Sequence, residues 1–389
     1  MTDIKIVSGL NYGDESKGLV ANAVSTSNSL TILPSNSCQR AHTVEENGIR
    51  RVFRHFGSGT LRGAATYFTD KFLVNPAMFR EEYEELIAIG IKPEVYVRSS
   101  SIIVDVMDMF ANVQIEKARG DLSHSSTGCG VWEAICRHRR LKNIALENGM
   151  DTYKTKDQIE YYKNRLKEYN AYDKNAEEFF NGKYLIENIS DDFAFFYQHV
   201  NIIQDVEDER ELLNSYPLLV FENGQGLLLT DEYMFDPDHN TPAYVGASDP
   251  ARIIHKYFDN DEVNIEALYV SRTYYTRHGK GQVGVYSNCE CSKADINPDM
   301  VDLTNIPNPN QGTLRYGKFN DKDAAAAITR AIVDSDIHSS MNNLVIKPSV
   351  VITHTNEFND GLLEGIAMKN NCGVYTSDNH TTIKKVKEI

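Results

Sequence analysis

Gly9-Leu10-Asn11-Tyr12-Gly13-Asp14-Glu15-Ser16-Lys17-Gly18 follows the short apolar run Ile4 to Val7 and precedes the helix-forming residues Leu19 to Val24. The apolar run reads as a buried strand, so this stretch links a strand end to a helix start, the repeating unit of an α/β fold. A turn of this kind offers free backbone N–H groups to an anion. Its glycines allow the backbone to approach closely, Lys17 adds a cation, and Asp14 and Glu15 add carboxylates that can hold a metal or move a proton. A P-loop needs Gly before its Lys and Ser or Thr after it; here those places hold Ser16 and Gly18, so this is not a Walker A sequence. Alone, a glycine-rich turn is more often structural than catalytic, and the rest of the chain decides.

The 389 residues are enough to bury a large core. Hydrophobic residues at 41% and charged residues at 24% fit a soluble globular protein. A formal charge of −15 argues against a nucleic-acid-coating surface, which needs clustered Lys and Arg. The cysteines (Cys38, Cys129, Cys136, Cys289, Cys291, Cys372) are scattered, and the start at Met1 lacks a basic segment followed by an apolar one, so a reducing, cytoplasmic location is expected. Cys289 and Cys291 are spaced too tightly for the usual zinc pair. No apolar run reaches the ~20 residues that a membrane span needs.

Several later stretches repeat the opening design, a strand followed by a polar exit. Ser29 to Leu33 reads as a strand and leads to Cys38-Gln39-Arg40-Ala41-His42-Thr43. Asn47-Gly48 marks a hairpin between Thr43 to Glu45 and Arg51 to Phe56. Phe79 to Ile89 has a helical pattern, and Glu94 to Val97 reads as a strand. Ser126-Thr127-Gly128 precedes a basic helix carrying Arg137, Arg139 and Arg140, a pattern that suits a phosphate as well as it suits a polar loop with a solvated face. About 151–215 is rich in Tyr, Lys, Glu and Asn and reads as a helical insertion of amphipathic helices packed on the sheet. Pro217 to Phe221 restores a strand, with Glu222-Asn223-Gly224-Gln225-Gly226 as its exit. Asp249 to Phe258 reads as a helix and Ala267 to Thr273 as a strand leading to Thr276-Arg277. Pro307 to Gln311 is irregular, so Gly312 to Gly317 is expected to be an exposed, mobile loop. Asp323 to Val333 is a helix, Ser349 to Ile352 a last core strand with the exit Thr353-His354-Thr355-Asn356, and Lys384 to Lys387 a solvated tail. With no repeat and no linker, residues 1–389 are expected to form one large α/β domain, a mostly parallel central sheet flanked by helices.

Gly13-Asp14-Glu15-Ser16-Lys17-Gly18, Ala41-His42-Thr43, Ser126-Thr127-Gly128, Glu222-Asn223-Gly224-Gln225-Gly226 and Thr276-Arg277 occur in the order and approximate spacing of adenylosuccinate synthetase, and the chain resembles that family over most of its length. The resemblance implies a ligase that joins L-aspartate to C6 of a purine nucleotide after a nucleoside triphosphate, with Mg2+, has phosphorylated the C6 oxygen. It implies that Asp14 takes the purine N1 proton and touches the metal beside the carbonyl of Ala41. His42 would stabilise charge on the transferred phosphoryl group. Gly13, Glu15, Ser16, Lys17, Gly18 and Thr43 would cradle the triphosphate. Gln39, Ser126, Thr127, Gln225 and Gly246, with Asp14, would hold the monophosphate. An arginine best aligned as Arg139 would reach into a partner's site, which implies a homodimer.

Three departures from the family's pattern bear on substrate. Ser16 stands where the family has Gly. Around Thr313 and Arg315 the family's run of arginines, which binds aspartate, is reduced to one, so another amine nucleophile stays possible. The family reads guanine with Thr-Lys-x-Asp, whereas this chain has Thr353-His354-Thr355-Asn356. An amide both donates and accepts, matching the adenine edge, so ATP or dATP is expected over GTP. A viral branch of the family acts on dGMP with adenine triphosphates, and Asn356 and the reduced loop are similar to it; retention of Asp14 points instead to IMP. The expectation favours dGMP over IMP. A catalytically silent nucleotide sensor of the same fold is the alternative from another class, and the presence of Asp14, Lys17 and His42 argues against it. A P-loop kinase fails on the missing Walker pattern.

Overall fold

The computed structural model describes residues 2–35, 37–124, 126–141, 152–232, 240–241, 243–258, 263–302 and 312–388. Ten strands form one sheet. From edge to edge they are β15 (Lys384–Lys387), β14 (Gly373–Thr376), β13 (Ile346–Thr353), β9 (Val263–Arg272), β1 (Thr2–Gly9), β8 (Leu218–Gly226), β2 (Ser29–Leu33), β5 (Ala65–Phe68), β6 (Val95–Arg98) and β7 (Asn201–Ile203). Every pairing is parallel except β14 with β15. All five residues of β2 are buried, as a central parallel strand covered on both faces requires. Ile4 and Ile6 face a core shared with α9 (Ser248–Phe258) and α11 (Asp321–Asn342). Val7, Val220 and Leu268 pack on the opposite side with Val20 and Ala21 of α1 (Lys17–Val24).

The parallel arrangement sends the exits of β1, β8, β9 and β13 to one edge of the sheet, where open α/β sheets place ligands. A hairpin of β3 (His42–Glu46) and β4 (Ile49–Phe53) turns at Asn47 and Gly48, both with positive φ. It packs against α1. A second small sheet, β10 (Tyr275–Arg277), β12 (Arg315–Gly317) and β11 (Glu290–Cys291), lies beyond β9.

Several expectations need correction. In the segment read as wholly helical, α5 (Thr152–Glu168), α6 (Lys174–Phe180) and α7 (Leu185–Gln198) are followed by β7 and then α8 (Val206–Asn214). Nor do α5 and α6 pack on the sheet: Tyr162, Leu166, Ala176 and Phe180 form their own core with Met107, Ala111 and Ile115 of α3 (Val106–Arg119). The helix α7 packs on α2 (Pro76–Ala88) through Phe193 and Phe196. The strand β8 continues through Glu222 to Gly226 instead of ending at Phe221. Arg315 to Gly317 is a strand with Tyr316 buried, and among the residues expected in the exposed loop Gly312 and Thr313 are exposed. Lys384 to Lys387 closes the sheet as an antiparallel edge whose lysines discourage further pairing. Pro307 to Gln311 lies outside the described residues.

Candidate active site

The loop between β1 and α1 is held from inside by Glu15. Its carboxylate accepts from the Asn11 backbone N–H at 2.9 Å, the Asn11 side-chain amide at 2.7 Å and the Gly13 N–H at 3.2 Å. Glu15 is 2% exposed, and burial raises its carboxyl pKa against the pull of Lys17 and Asn11. Lys17 is buried as well and donates to the Gly13 carbonyl at 2.5 Å. Burial lowers its pKa while Glu15, Asp14 and Glu222 oppose the shift. Glu15 therefore shapes the cradle by binding the loop's own amides. Ser16 sits in the left-handed region, φ 71° and ψ 34°, which explains why the family's glycine suits this position: a side chain there costs about 1–2 kcal/mol. Gly18 has a different reason. A Cβ on it would lie 2.7 Å from the Thr43 carbonyl oxygen, so its smallness lets α1 close on β3.

His42 opens β3 and is oriented by a carboxylate from the middle of the sheet. Its Nδ1 lies 2.5 Å from Glu222 Oε1. The same carboxylate is 3.2 Å from Arg40 Nη1 and accepts from the Ser58 N–H at 2.8 Å and from the Ser58 hydroxyl. Burial pushes the His42 pKa down to about 4 despite Glu222. For Glu222, burial would raise the pKa, but Arg40, then His42 and Ser58, outweigh it and hold it at about 2. The pair rests as neutral imidazole beside carboxylate, with the ring proton on Nδ1. Nε2 is buried and has no hydrogen-bond partner among the described residues, which leaves its lone pair without a donor.

Asp14 is the exposed carboxylate of the loop, its side chain 43% accessible. Its backbone carbonyl accepts from Arg272 Nε at 2.7 Å and from the Thr276 hydroxyl at 3.0 Å, which fixes it beneath the end of β9. Its Oδ2 lies 3.7 Å from His278 Nε2. No group of three or more metal-ligating side chains occurs among the described residues. Mg2+ takes one or two carboxylates and completes its shell with phosphate oxygens and water. The exposed carboxylate of Asp14 and the carbonyl of the exposed Ala41 are donors of the kind such a site takes.

Of the remaining expected residues, Gln225 and Gly246 lie against β1 and its loop. Gln225 reaches over Gly13: a Cβ on Gly13 would lie 3.2 Å from Gln225 Oε1. Gly246 receives the Asn223 amide at 3.0 Å on its carbonyl, and its N–H donates to the Ser8 hydroxyl at 3.0 Å, so it lies over β1 and β8. Gln39 donates to the Thr241 hydroxyl at 3.2 Å. Thr353 donates to the Glu15 carbonyl at 3.2 Å and ties the β13 exit, with the exposed Asn356 three residues on, to the loop. The Ser126 hydroxyl donates to Asn112 at 2.8 Å and accepts from the Gly128 N–H at 3.0 Å, and Thr127 accepts from the Cys129 N–H at 3.4 Å; these hydroxyls stabilise their own loop. The 277–284 segment touches the turn that precedes that loop through Lys280, which donates to the Asp121 carbonyl at 2.6 Å.

Arg137 is buried whereas Arg139 and Arg140 are exposed, which separates the three candidate arginines of the basic helix. Arg137 is fully buried, 2.9 Å from Asp108 Oδ2 and bonded to the Ile103 carbonyl at 2.6 Å, so it is a structural cation. Arg139 lies on the exposed face of α4 (Val131–Leu141), its guanidinium 5.7 Å from the ring centre of half-exposed Trp132. Arg315 pairs with Glu290 at 2.9 Å and donates to the Gly281 carbonyl at 2.6 Å. The sequence does not single out Glu222 as the partner of His42, nor the buried Arg40 and Arg272 and the half-buried Arg330 as cations near the loop. A carboxylate inside an apolar strand, Leu218 to Phe221 followed by Glu222, was the available signal for the first.

The family model described as adenylosuccinate synthetase matches residues 6–293. Thr313, Arg315 and Asn356 lie beyond that match. Curated relatives include the adenylosuccinate synthetases of Baumannia cicadellinicola subsp. Homalodisca coagulata, 26% identical over 268 residues, and of Borrelia recurrentis, 23% identical over 252 residues. These alignments cover 64% and 63% of this chain and 56% and 55% of the relatives, so the chain spans about half the length of the curated relatives it matches. Two solved structures share the fold. The fully ligated adenylosuccinate synthetase of Plasmodium falciparum has TM-score 0.67 and 13% identity, covering 92% of this chain and 78% of that one. The cyanophage S-2L succinoaminodeoxyadenylate synthetase, bound to dGMP and to dATP as an energy donor, has TM-score 0.64 and 16% identity, covering 100% and 96%.

Proposed function

The chain belongs to the adenylosuccinate synthetase family, and from that premise we propose that it is a purine nucleotide ligase joining L-aspartate to C6 of a purine nucleoside monophosphate through a 6-phosphoryl intermediate. The observation that carries this reading is the neutral His42, aligned by Glu222 and with an Nε2 unpartnered among the described residues, on the strand beside the loop of Asp14 and Lys17. A nucleotide sensor has no use for a buried, oriented imidazole of this kind.

In this reading Asp14 removes the purine N1 proton, which makes O6 the nucleophile toward the γ-phosphorus of the triphosphate. With a proton taken from solvent at Nε2, His42 donates that N–H to the oxygen of the transferred phosphoryl group, and the Glu222 carboxylate stabilises the imidazolium. The amine of aspartate then displaces the 6-phosphoryl group as phosphate. Bound Mg2+, held by Asp14 and the Ala41 carbonyl, would supply neutralisation of phosphate charge. Lys17 and the loop amides not bound by Glu15 hold the triphosphate, Gln225 and Gly246 the monophosphate, and Arg139 reaches from its exposed helix face into a second copy in a homodimer.

dGMP is the favoured monophosphate, giving N6-succino-2-amino-2'-deoxyadenylate, with ATP or dATP as donor. Asn356, where the family's guanine-reading carboxylate would stand, supports the adenine donor. The ligands named for the cyanophage protein, dGMP and dATP, and the near-complete mutual coverage of the two chains support the same choice. IMP is the second reading, favoured by the presence of Asp14. Incubation with L-aspartate and Mg2+, crossing IMP, GMP and dGMP with ATP, dATP and GTP, tests both: a succino-nucleotide identified by mass is expected from dGMP with dATP or ATP. Product from IMP with GTP alone would overturn the specificity, and no product from any pair would overturn the activity.

A further inference from the structure

The stretch that resembles the family's amino-donor loop carries one arginine, Arg315, whereas a dicarboxylic amino donor brings two carboxylates. The fold adds cations from two other elements. Arg277 on β10 stands directly opposite Arg315 on β12, so the two side chains leave the same face. They hold consecutive carbonyls, Arg277 that of Gln282 at 2.8 Å and Arg315 that of Gly281 at 2.6 Å. The Arg277 guanidinium lies 4.6 Å from the centre of the Tyr12 ring. Arg330 of α11 donates to Asn11 Oδ1 at 2.8 Å, one residue before Tyr12, and both Arg277 and Arg330 act electrostatically on the Tyr12 phenol.

Like charges facing each other across a ladder repel. Among the described residues the carboxylate paired with Arg315 is Glu290, itself 36% exposed at the rim. Arg315 Nε and Arg330 Nε are both buried donors without an acceptor among the described residues. The cluster adjoins the reaction centre, because Thr276, the neighbour of Arg277, binds the Asp14 carbonyl.

We propose that Arg277 and Arg330 join Arg315 in one cluster that receives the two carboxylates of a dicarboxylic amino donor. The proposal rests on the ligase reading above. Guanidinium groups bind carboxylates through paired, charge-assisted hydrogen bonds, and the buried Nε donors gain acceptors when the donor substrate arrives. Charge that the family keeps in one loop is here drawn from a strand, a facing strand and a helix.

The test is steady-state kinetics of the full chain at saturating nucleotides with varied L-aspartate, comparing wild type with Arg277→Lys, Arg330→Gln and Arg330→Lys. The expected result is an aspartate KM raised about ten- to hundredfold in Arg330→Gln and Arg277→Lys, with nucleotide KM values within about twofold of wild type and partial recovery in Arg330→Lys. Arg330→Lys keeps a cation in place and serves as the reporter should Arg330→Gln fail to fold. An unchanged aspartate KM in Arg277→Lys and in the folded Arg330 variants would overturn the proposal while leaving the ligase reading intact. A wild type that makes no succino-nucleotide from any nucleotide pair would overturn that reading and the proposal with it.

Discussion

Glu222 Oε1 lies 2.5 Å from His42 Nδ1, and Arg40 Nη1 lies 3.2 Å from the same oxygen. The carboxylate thus serves two buried groups, orienting the imidazole and neutralising the arginine. Glu222→Gln keeps the shape but removes the charge that stabilises an imidazolium. Turnover is expected to fall by about 10²-fold or more while the nucleotide KM values move little. Thermal unfolding should also fall, since Arg40 is left without its counter-charge. A variant with wild-type turnover would remove Glu222 from the mechanism.

The same pair makes stability depend on pH. The His42 pKa is about 4 in the fold against an ordinary 6.5, so between those values the unfolded chain binds a proton that the folded chain does not. The contribution is therefore complete above pH 6.5 and is lost as pH falls toward 4. Glu222, at about 2 against an ordinary 4.5, extends the loss below pH 4.5. Urea midpoints measured from pH 7 to pH 4 should decline in wild type, and His42→Gln should show a shallower decline between pH 6.5 and 4.5. Parallel curves would contradict the assignment.

Ser16 carries a left-handed backbone at φ 71°. Ser16→Gly should raise the unfolding free energy by about 1 kcal/mol, measured by chemical denaturation, because relief of the strain exceeds the added freedom of the unfolded glycine. A destabilised variant would mean that the serine side chain contributes more than its strain costs.

Much of this fold was legible in the chain because the buried strands are short apolar runs ended by polar exits. Ile4 to Val7 and Ser29 to Leu33 are strands where the pattern puts them, and Asn47-Gly48 turns the hairpin. The pattern failed where burial, and not periodicity, decides the structure. Tyr316 is drawn into β12 by pairing with β10 and β11, contacts remote in sequence, so a Gly-flanked stretch looked like an open loop. At the site, Asp14, Lys17 and His42 are recognisable from local motifs. Nothing local in the motif of Glu222 pairs it with His42, because the contact spans 180 positions. Arg137, Arg139 and Arg140 are equivalent in sequence, and only the Asp108 carboxylate, supplied by α3, assigns Arg137 to the interior.

That distinction predicts opposite phenotypes. Arg137→Ala should destabilise the fold by about 3–5 kcal/mol by stranding the buried Asp108. Arg139→Ala should leave the melting temperature within a degree or two and raise the KM for the monophosphate about tenfold or more. If both variants lowered stability alike, the exposed face of α4 would not be an interface.

Asn356 is exposed at the β13 exit. Asn356→Asp should move preference from adenine toward guanine triphosphates by about one to two decades in the ratio of kcat/KM values for GTP and ATP. An unchanged ratio would remove Asn356 from base recognition.

The central claim is that the loops of Asp14, His42 and Asn356 bring together a purine monophosphate and an adenine triphosphate so that aspartate is joined at C6. Mass spectrometry of the products formed from dGMP, dATP, L-aspartate and Mg2+ tests it most directly. The account predicts N6-succino-2-amino-2'-deoxyadenylate with one dADP and one phosphate released per product, and loss of all three in Asp14→Ala and His42→Ala. Release of phosphate from dATP with no succino-nucleotide, or unimpaired product formation in either variant, would contradict it.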